Sequence, residues 1–234
     1  MCPESLALAL RVAIGEFRAA VTTAAPDAPV PTCPGWTVDQ LTAHVGQVFA
    51  LVVDWIRTGR RREPMPVPAT ALDHFTVSAQ TLLDLLDPAQ AARPCATWCP
   101  WDHTLGFWIR RMAHEAVIHR ADAESALGAI SPIPAGLAAD GVHELLTLWL
   151  GTRQPPKVAG EHVVRLEIPG RAWIIGLNPW VIDYHVDAEP DAVLRGPASA
   201  LDLWLWGRGD AAELTVEGDQ SAVAALRSAI AAVT

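Results

Sequence analysis

The chain has 234 residues with a formal net charge of −9, and 51% of its residues are hydrophobic against 18% charged. This balance excludes an intrinsically disordered chain, because it supplies enough apolar side chains for a buried core. An acidic chain without a basic stripe argues against a nucleic-acid partner. No apolar run reaches the roughly 18–20 residues of a membrane-spanning helix, and the first residues lack the pattern of a signal peptide. We therefore expect a cytoplasmic protein without a membrane partner.

Helical periodicity alone characterises the first half of the chain. Apolar residues three or four apart predict a helix over residues 5–24, and a proline-rich loop follows. Thr37 and Gln40 form the pattern of a capping box, which predicts that a second helix starts there and continues until Gly59. Two further helices are predicted near 70–86, after a loop containing Pro64, Pro66 and Pro68, and over 104–127. Four helices joined by short or proline-rich loops predict a four-helix bundle.

The pattern changes near residues 128–134, where a glycine and two prolines end one helix and prevent another from starting at once. We therefore place a domain boundary here, giving domains over residues 1–130 and 131–234. In the second domain we predict helices near 135–150, from Ser199 (an acidic capping box with Asp202) to Gly207, and from Asp219. The segments that resemble β-strands cover residues 163–168, 172–177, 180–186 and 214–216. These predict a smaller α+β domain with a short antiparallel sheet.

The candidate metal ligands lie on the second and fourth predicted helices. Glu115 and His119 are four residues apart, about 40° around a helix, so both project from one face, whereas His114 and His119 are about 140° apart. A catalytic zinc site needs at least one more donor, and His44 on the second helix is the best candidate. From spacing alone, Glu-x-x-x-His is common as a surface pair, and these side chains are more simply explained as satisfied surface or core residues.

Two N-terminal stretches carry a family resemblance. Residues 32–46, which contain Pro-Gly-Trp followed by His44, and residues 108–124, which contain Glu115 and His119, resemble the mycothiol-dependent maleylpyruvate isomerase family. Residues 138–146 and 196–208 are similar to the C-terminal domain of the same family. The resemblance implies a DinB-like metal-binding four-helix bundle followed by an α+β domain.

The resemblance also implies a ligand set and a chemistry. The family's metal ligands correspond to His44, Glu115 and His119, which implies a divalent cation, most simply Zn²⁺, with mycothiol as the thiol cosubstrate. Since a metal-bound thiol is deprotonated at neutral pH, the thiolate would add to a small electrophile, as an isomerase or an S-transferase. His114 would then pack beside the ligands.

Two further residues are candidates for catalysis. Asp122, one helical turn after His119, could orient that histidine or relay a proton, although a salt bridge with Arg111 or Arg120 is an equal alternative. Arg208 could hold a carboxylate of the substrate, or it could cap the end of its own helix.

Tryptophan is unusually abundant, with ten residues. Trp98, Trp101 and Trp108 surround His103 where the fourth helix begins, and we expect them either to line the mouth of the pocket or to pack in the core. Cys33, just before the second helix, is a less favoured fourth metal ligand.

Other functions remain open from the sequence. The same site could serve a thiol-independent metalloenzyme, either a hydrolase or a biosynthetic enzyme, or the metal could only stabilise a binding or regulatory protein. The three-ligand set argues against the last, because structural zinc sites normally use four protein ligands. The sequence does not decide between a monomer and a homodimer.

Overall fold

The computed structural model describes residues 1–61, 70–153, 157–178, 180–183 and 189–234. They form two compact units, Met1–Ser131 and Pro132–Thr234. The loop with Pro64, Pro66 and Pro68, and the last three residues of the strand predicted over 180–186, lie outside the described residues. In the described parts of the chain, no helix has the length and apolar character needed to cross a membrane.

The first unit is built from helices. They are α1 (Pro3–Thr23), α2 (Val38–Thr58), α3 (Ala71–Leu85) and α4 (Leu105–Ser125), with a 3-10 turn at Pro88–Gln90. The most extensive packing joins α1 to α4 and α2 to α3. The helices predicted from apolar periodicity in this half of the chain are confirmed, because each apolar stripe finds a neighbouring helix to cover it.

The start of α2 follows the predicted capping box. The Gln40 backbone N–H donates to Thr37 Oγ1 over 3.3 Å, and the Thr37 backbone N–H donates to Gln40 Oε1 over 2.9 Å. At the other end, Gly59 takes a left-handed conformation with φ 71° and closes the helix. These two caps define where α2 begins and ends, and its buried apolar residues, such as Leu41 and Val45, set which face packs inward.

Helix α4 differs from the others because it is buried on nearly every side. Its buried residues include five that carry polar or charged groups, namely Arg111, His114, Arg120, Asp122 and Ser125. Buried charges are costly unless they are paired or hydrogen-bonded. The polar side chains of α4 must therefore find partners inside the protein, and the candidate site contains several of them.

The second unit combines a five-stranded sheet with helices. Its elements are α5 (Ala135–Glu144), a π-helical continuation (Leu145–Leu150), β1 (His162–Ile168), β2 (Arg171–Leu177), β3 (Val181–Asp183), β4 (Ala192–Arg195), α6 (Ala198–Trp206), β5 (Thr215–Gly218) and α7 (Gln220–Ala231). Alternate residues of β1, β2 and β4 share one apolar core with the helices of this unit, as Leu166, Ile175 and Leu194 show.

The sheet is mixed, which corrects the predicted antiparallel sheet. The strand order is β3-β2-β1-β4-β5, and β1 and β4 run parallel, while the other neighbours pair antiparallel. The sequence analysis missed β4, because four residues between Pro190 and Gly196-Pro197 are too few to show alternation. Without β4, the parallel pairing of β1 with β4 could not be foreseen.

The predicted capping box of α6 is also wrong. The helix begins at Ala198, with Pro197 as its N-cap and no side-chain cap. Ser199 Oγ instead accepts a hydrogen bond of 2.8 Å from the Ile133 backbone N–H, and Asp202 is buried. The predicted end at Gly207 is confirmed by its left-handed φ of 77°.

Gly46 allows α2 to approach α3 closely. A Cβ at this position would lie 3.0 Å from both the backbone N and the Cα of Phe75, whereas a Cβ at Gly15 in α1 would meet nothing within 4 Å. We expect Gly46→Ala to destabilise the protein by about 1–3 kcal/mol, because the rigid backbone of α3 must shift. The control Gly15→Ala should stabilise it by about 0.5–1 kcal/mol through helix propensity. Urea unfolding followed by circular dichroism measures the change in the free energy of unfolding for both variants. Equal changes would contradict the close approach of α2 to α3.

Candidate metal centre

Three side chains from α2 and α4 meet in the first unit. One potential ligand atom from each of His44, Glu115 and His119 lies within 4.8 Å of the other two. In the described part of the chain, no other group of three or more histidine, cysteine, aspartate or glutamate side chains has the geometry to hold a metal ion. The structure thus brings together the three residues that the sequence analysis selected as ligands.

The helical spacing of α4 sets the geometry of two of these groups. Glu115 and His119 are one turn apart, and Glu115 Oε1 lies 3.1 Å from His119 Nε2. The ring of His44 approaches from α2, with its centroid 5.1 Å from that of His119 and the ring planes at 77°. The edge of one imidazole therefore faces the other ring, with the Glu115 carboxylate beside them.

Arg111 completes the charge pattern around Glu115. Its Nη2 donates a hydrogen bond of 2.6 Å to Glu115 Oε2, one turn earlier on α4. Burial alone would raise the pKa of Glu115, but the neighbouring His119 and Arg111 outweigh it and hold that pKa far below its usual range. Glu115 is therefore an anion whose Oε2 is held by Arg111 and whose Oε1 faces His119.

The electrostatics favour positive charge at His119. Burial alone would lower its pKa, but the carboxylates of Glu115 and Asp122 outweigh this effect and raise the pKa to about 9. The environment of this imidazole therefore stabilises a cation against the Glu115 carboxylate, whether that cation is a proton or a metal ion.

Asp122 and Thr32 fix the orientation of His119. Asp122 is completely buried, and its Oδ2 lies 2.9 Å from His119 Nδ1. Thr32 Oγ1 donates a hydrogen bond of 2.6 Å to Asp122 Oδ1 and lies 3.1 Å from Ser125 Oγ. This contact is the one expected if Asp122 orients His119, which is one of the roles considered from the sequence. Thr32 was not singled out from the sequence, because its contact with Asp122 spans 90 residues of chain.

The donor set fits a divalent cation such as zinc. Two imidazoles and one carboxylate are the protein ligands typical of catalytic zinc sites, which keep one position for water or substrate. With Nδ1 of His119 held by Asp122, Nε2 is the nitrogen that faces Glu115. A carboxylate that binds the second nitrogen of a ligand histidine is the usual support of a zinc site.

The other candidates near α4 lie outside the ligand group. His114 is fully buried in α4 and Cys33 is half-buried in the loop before α2, and neither belongs to the group of ligand atoms. Arg120, the other alternative partner of Asp122, donates to the backbone carbonyl of Ser131 over 3.0 Å.

The tryptophans near the start of α4 have different environments. Trp108 is 1% exposed, and its Nε1 donates to the Ala96 carbonyl over 2.9 Å, so the suggestion that it lines a pocket mouth is wrong. Trp98 packs edge-on against Phe107, and Trp101 is 60% exposed.

The tryptophan beside the ligand group is Trp36, whose ring centroid is 5.1 Å from that of His44. This contact between two residues eight positions apart was not foreseen from the sequence.

Arg208 belongs to the second unit, just after α6. Its Nη1 donates a hydrogen bond of 2.7 Å to the Trp206 carbonyl. This is the helix-capping contact considered from the sequence, and contact with a substrate carboxylate stays a prediction.

Comparison with protein-family models assigns both units. Residues 7–124 match the mycothiol maleylpyruvate isomerase N-terminal domain, and residues 136–225 match the C-terminal domain of the same proteins. The chain belongs to the mycothiol-dependent maleylpyruvate isomerase family. No curated protein sequence matches it. The resemblance proposed from the sequence is thus confirmed for both halves of this family member.

Two solved structures share the fold of this family member. The crystal structure of a histidine-to-alanine mutant of the mycothiol-dependent maleylpyruvate isomerase is 15% identical, with a TM-score of 0.63 and 93% of each chain covered. The crystal structure of the mycothiol-dependent maleylpyruvate isomerase itself is also 15% identical, with a TM-score of 0.60 and the same coverage. Helices followed by a domain with a five-stranded sheet are therefore the shared architecture.

Metal content tests the ligand group. We expect about one zinc ion per chain, retained on dialysis, and loss of most of it in His44→Ala and His119→Ala, because two remaining ligands hold zinc poorly. Elemental analysis gives the stoichiometry, and His74→Ala, a histidine of α3 outside the group, serves as the control. Undiminished metal in both ligand variants would contradict the assignment.

The contact of Asp122 with His119 gives a second prediction. An amide at position 122 can donate to Nδ1, which leaves the proton on Nε2 and removes the lone pair that faces Glu115. We therefore expect Asp122→Asn to weaken zinc binding by about 10–100-fold, in competition with a chelating dye. Thr32→Val should cause a smaller loss in the same direction. A lower melting temperature of Asp122→Asn with unchanged zinc affinity would instead make Asp122 purely structural.

Proposed function

We propose that the chain is a metal-dependent, mycothiol-dependent isomerase whose metal is held by His44, Glu115 and His119. The observation that carries this proposal is the group of three ligand atoms within 4.8 Å, in a member of this family. We propose further that α1–α4 form a four-helix bundle of the DinB type, that this metal-binding domain covers residues 1–130, and that residues 131–234 form the second domain.

The ligand set supports zinc chemistry at this site. Two neutral imidazoles and one carboxylate leave a net positive charge on a divalent cation and one position open to a further ligand. A divalent cation held there favours the thiolate form of a low-molecular-weight thiol at neutral pH. Structural sites that only stabilise a fold normally have four protein ligands, so the set of three favours catalysis.

The chain's own residues orient the ligands. Asp122 holds the proton at Nδ1 of His119 and so presents Nε2 to the site. Arg111 binds one oxygen of Glu115 and leaves the other toward His119. Arg111 and Asp122 are buried, and the side chains of Glu115 and His119 are only 15% and 13% exposed. These contacts therefore restrain the ligands before any molecule binds, which reduces the cost of ordering them on binding.

The proposed reaction needs a small electrophile with an activated double bond. The sulfur of the cosubstrate adds to one carbon of that bond, rotation occurs about the resulting single bond, and elimination restores both the double bond and the free thiol. An S-transferase would share the addition and keep the thiol attached. In both cases we propose that Arg208 binds a carboxylate of the electrophile.

Thiol dependence is the decisive test. We expect the protein to isomerise maleylpyruvate only when mycothiol is present, because the sulfur forms and breaks the transient bond. In cobalt-substituted protein, mycothiol should produce a thiolate charge-transfer band, and His119→Ala should abolish it. Turnover without any thiol, or no band on titration, would favour a thiol-independent metalloenzyme. A stable thioether product would instead identify a transferase.

A further inference from the structure

A small cavity opens beside the ligand group in the first unit. Its volume is about 350 Å³, and it is lined by Gly35, Trp36, Gln40, Ala43, His44 and Gln47. These residues belong to the loop before α2 and to the first turns of α2. Since His44 is both a lining residue and a member of the ligand group, a molecule bound through the metal position could extend into this cavity. We call it the Trp36 pocket.

The side chains that line the Trp36 pocket carry no formal charge apart from a protonatable His44. Gln40 and Gln47 are exposed and offer amide groups to a ligand. The Oε1 atom of Gln40 accepts from the Thr37 backbone, so its NH₂ group is the part that can donate to a ligand. Gln47 can use both its carbonyl and its NH₂. Among the described residues, the pocket lining therefore offers several hydrogen-bonding groups and no arginine or lysine to bind an anion.

Trp36 adds an aromatic surface to these amides. It is 37% exposed, although an indole gains most by burial, and its ring stands at 77° to that of His44. Gly35 precedes it with φ 86°, a conformation that favours glycine and that turns the chain into the cap of α2. The indole is thus held against a ligand histidine with part of its surface still in contact with solvent.

This combination favours a neutral ligand rich in hydroxyl groups. A phosphate or carboxylate would meet no arginine or lysine among the described lining residues, and a purely apolar group would leave the two amides without partners. A sugar-like ring fits both features, because its hydroxyl groups can pair with the amides and its C–H face can pack on the indole. The volume lies at the lower end of the roughly 300–1,000 Å³ range of small-molecule sites, enough for part of a ligand rather than a large one.

We infer that the Trp36 pocket binds the neutral sugar portion of the thiol cosubstrate. The inference rests on the proposed function, since it takes the metal position as the place where the sulfur binds. Trp36 and Gln47 then select a glycosylated thiol over a simple one, while His44, Glu115 and His119 act on the sulfur of either. Binding affinity for the sugar, rather than for the sulfur, is the property that Trp36 and Gln47 determine.

Two thiols distinguish the affinity for the sugar portion from the affinity for the sulfur. Mycothiol carries the sugar portion, and N-acetylcysteinamide carries the same cysteine without it. Both are titrated into the cobalt-substituted full chain, and the charge-transfer band gives a dissociation constant for each. We expect Trp36→Ala to weaken mycothiol binding at least about tenfold, which corresponds to roughly 1.4 kcal/mol, and to leave N-acetylcysteinamide binding within about twofold. Gln47→Leu should weaken mycothiol alone by about fivefold.

The control is Gln80→Leu, on the exposed surface of α3, which should leave the affinity for both thiols unchanged. Equal losses for both thiols in Trp36→Ala, together with no effect of Gln47→Leu, would overturn the inference and assign Trp36 to the support of His44. Unchanged mycothiol affinity in both variants would also overturn it, while leaving the proposed function intact. If neither thiol gives a band in the cobalt-substituted chain without any mutation, the proposed function itself fails.

Discussion

Buried charge on α4 is the constraint on which the site depends. The helix lies inside the first unit on nearly every side, so Arg111 and Asp122 have almost no contact with water, and Glu115 and His119 have little. They solvate one another instead, through contacts of 2.6, 3.1 and 2.9 Å along one face of the helix. A chain of alternating charges in a low dielectric is stable only when each member keeps its partner. The same requirement holds the potential ligand atoms in place.

The loop between α1 and α2 contributes as much to the site as the helices do. Backbone hydrogen bonds between Val30 and Trp36 and between Ala28 and Val38 fold it back on itself, against the start of α2. In this conformation Thr32 reaches Asp122 and Trp36 reaches His44. One short segment therefore supports the orientation of a ligand histidine and forms the wall of the pocket beside another. From the sequence, proline content predicted only that this segment is a loop.

Local patterns predicted the helices well and the sheet less well. Apolar periodicity and the Thr37/Gln40 capping box depend on residues within a few positions of each other. The helices could therefore be predicted without knowing how the rest of the chain folds. The direction of β4 relative to β1, and the use of Ser199 to bind Ile133 rather than to cap α6, depend on residues 28 and 66 positions apart. Such contacts leave no periodic trace in a single sequence.

The sequence by itself determined the family, the helical first half, and the placement of Glu115 and His119 on one face of a helix, because helical geometry alone sets the angle between residues four apart. Only the tertiary structure decided that His44 meets them from another helix, that Asp122 contacts His119, and that Trp108 is core while Trp36 lies beside the ligand group. The physical reason is that burial and packing determine which groups must share a solvent-free space, and packing is a property of the whole first unit.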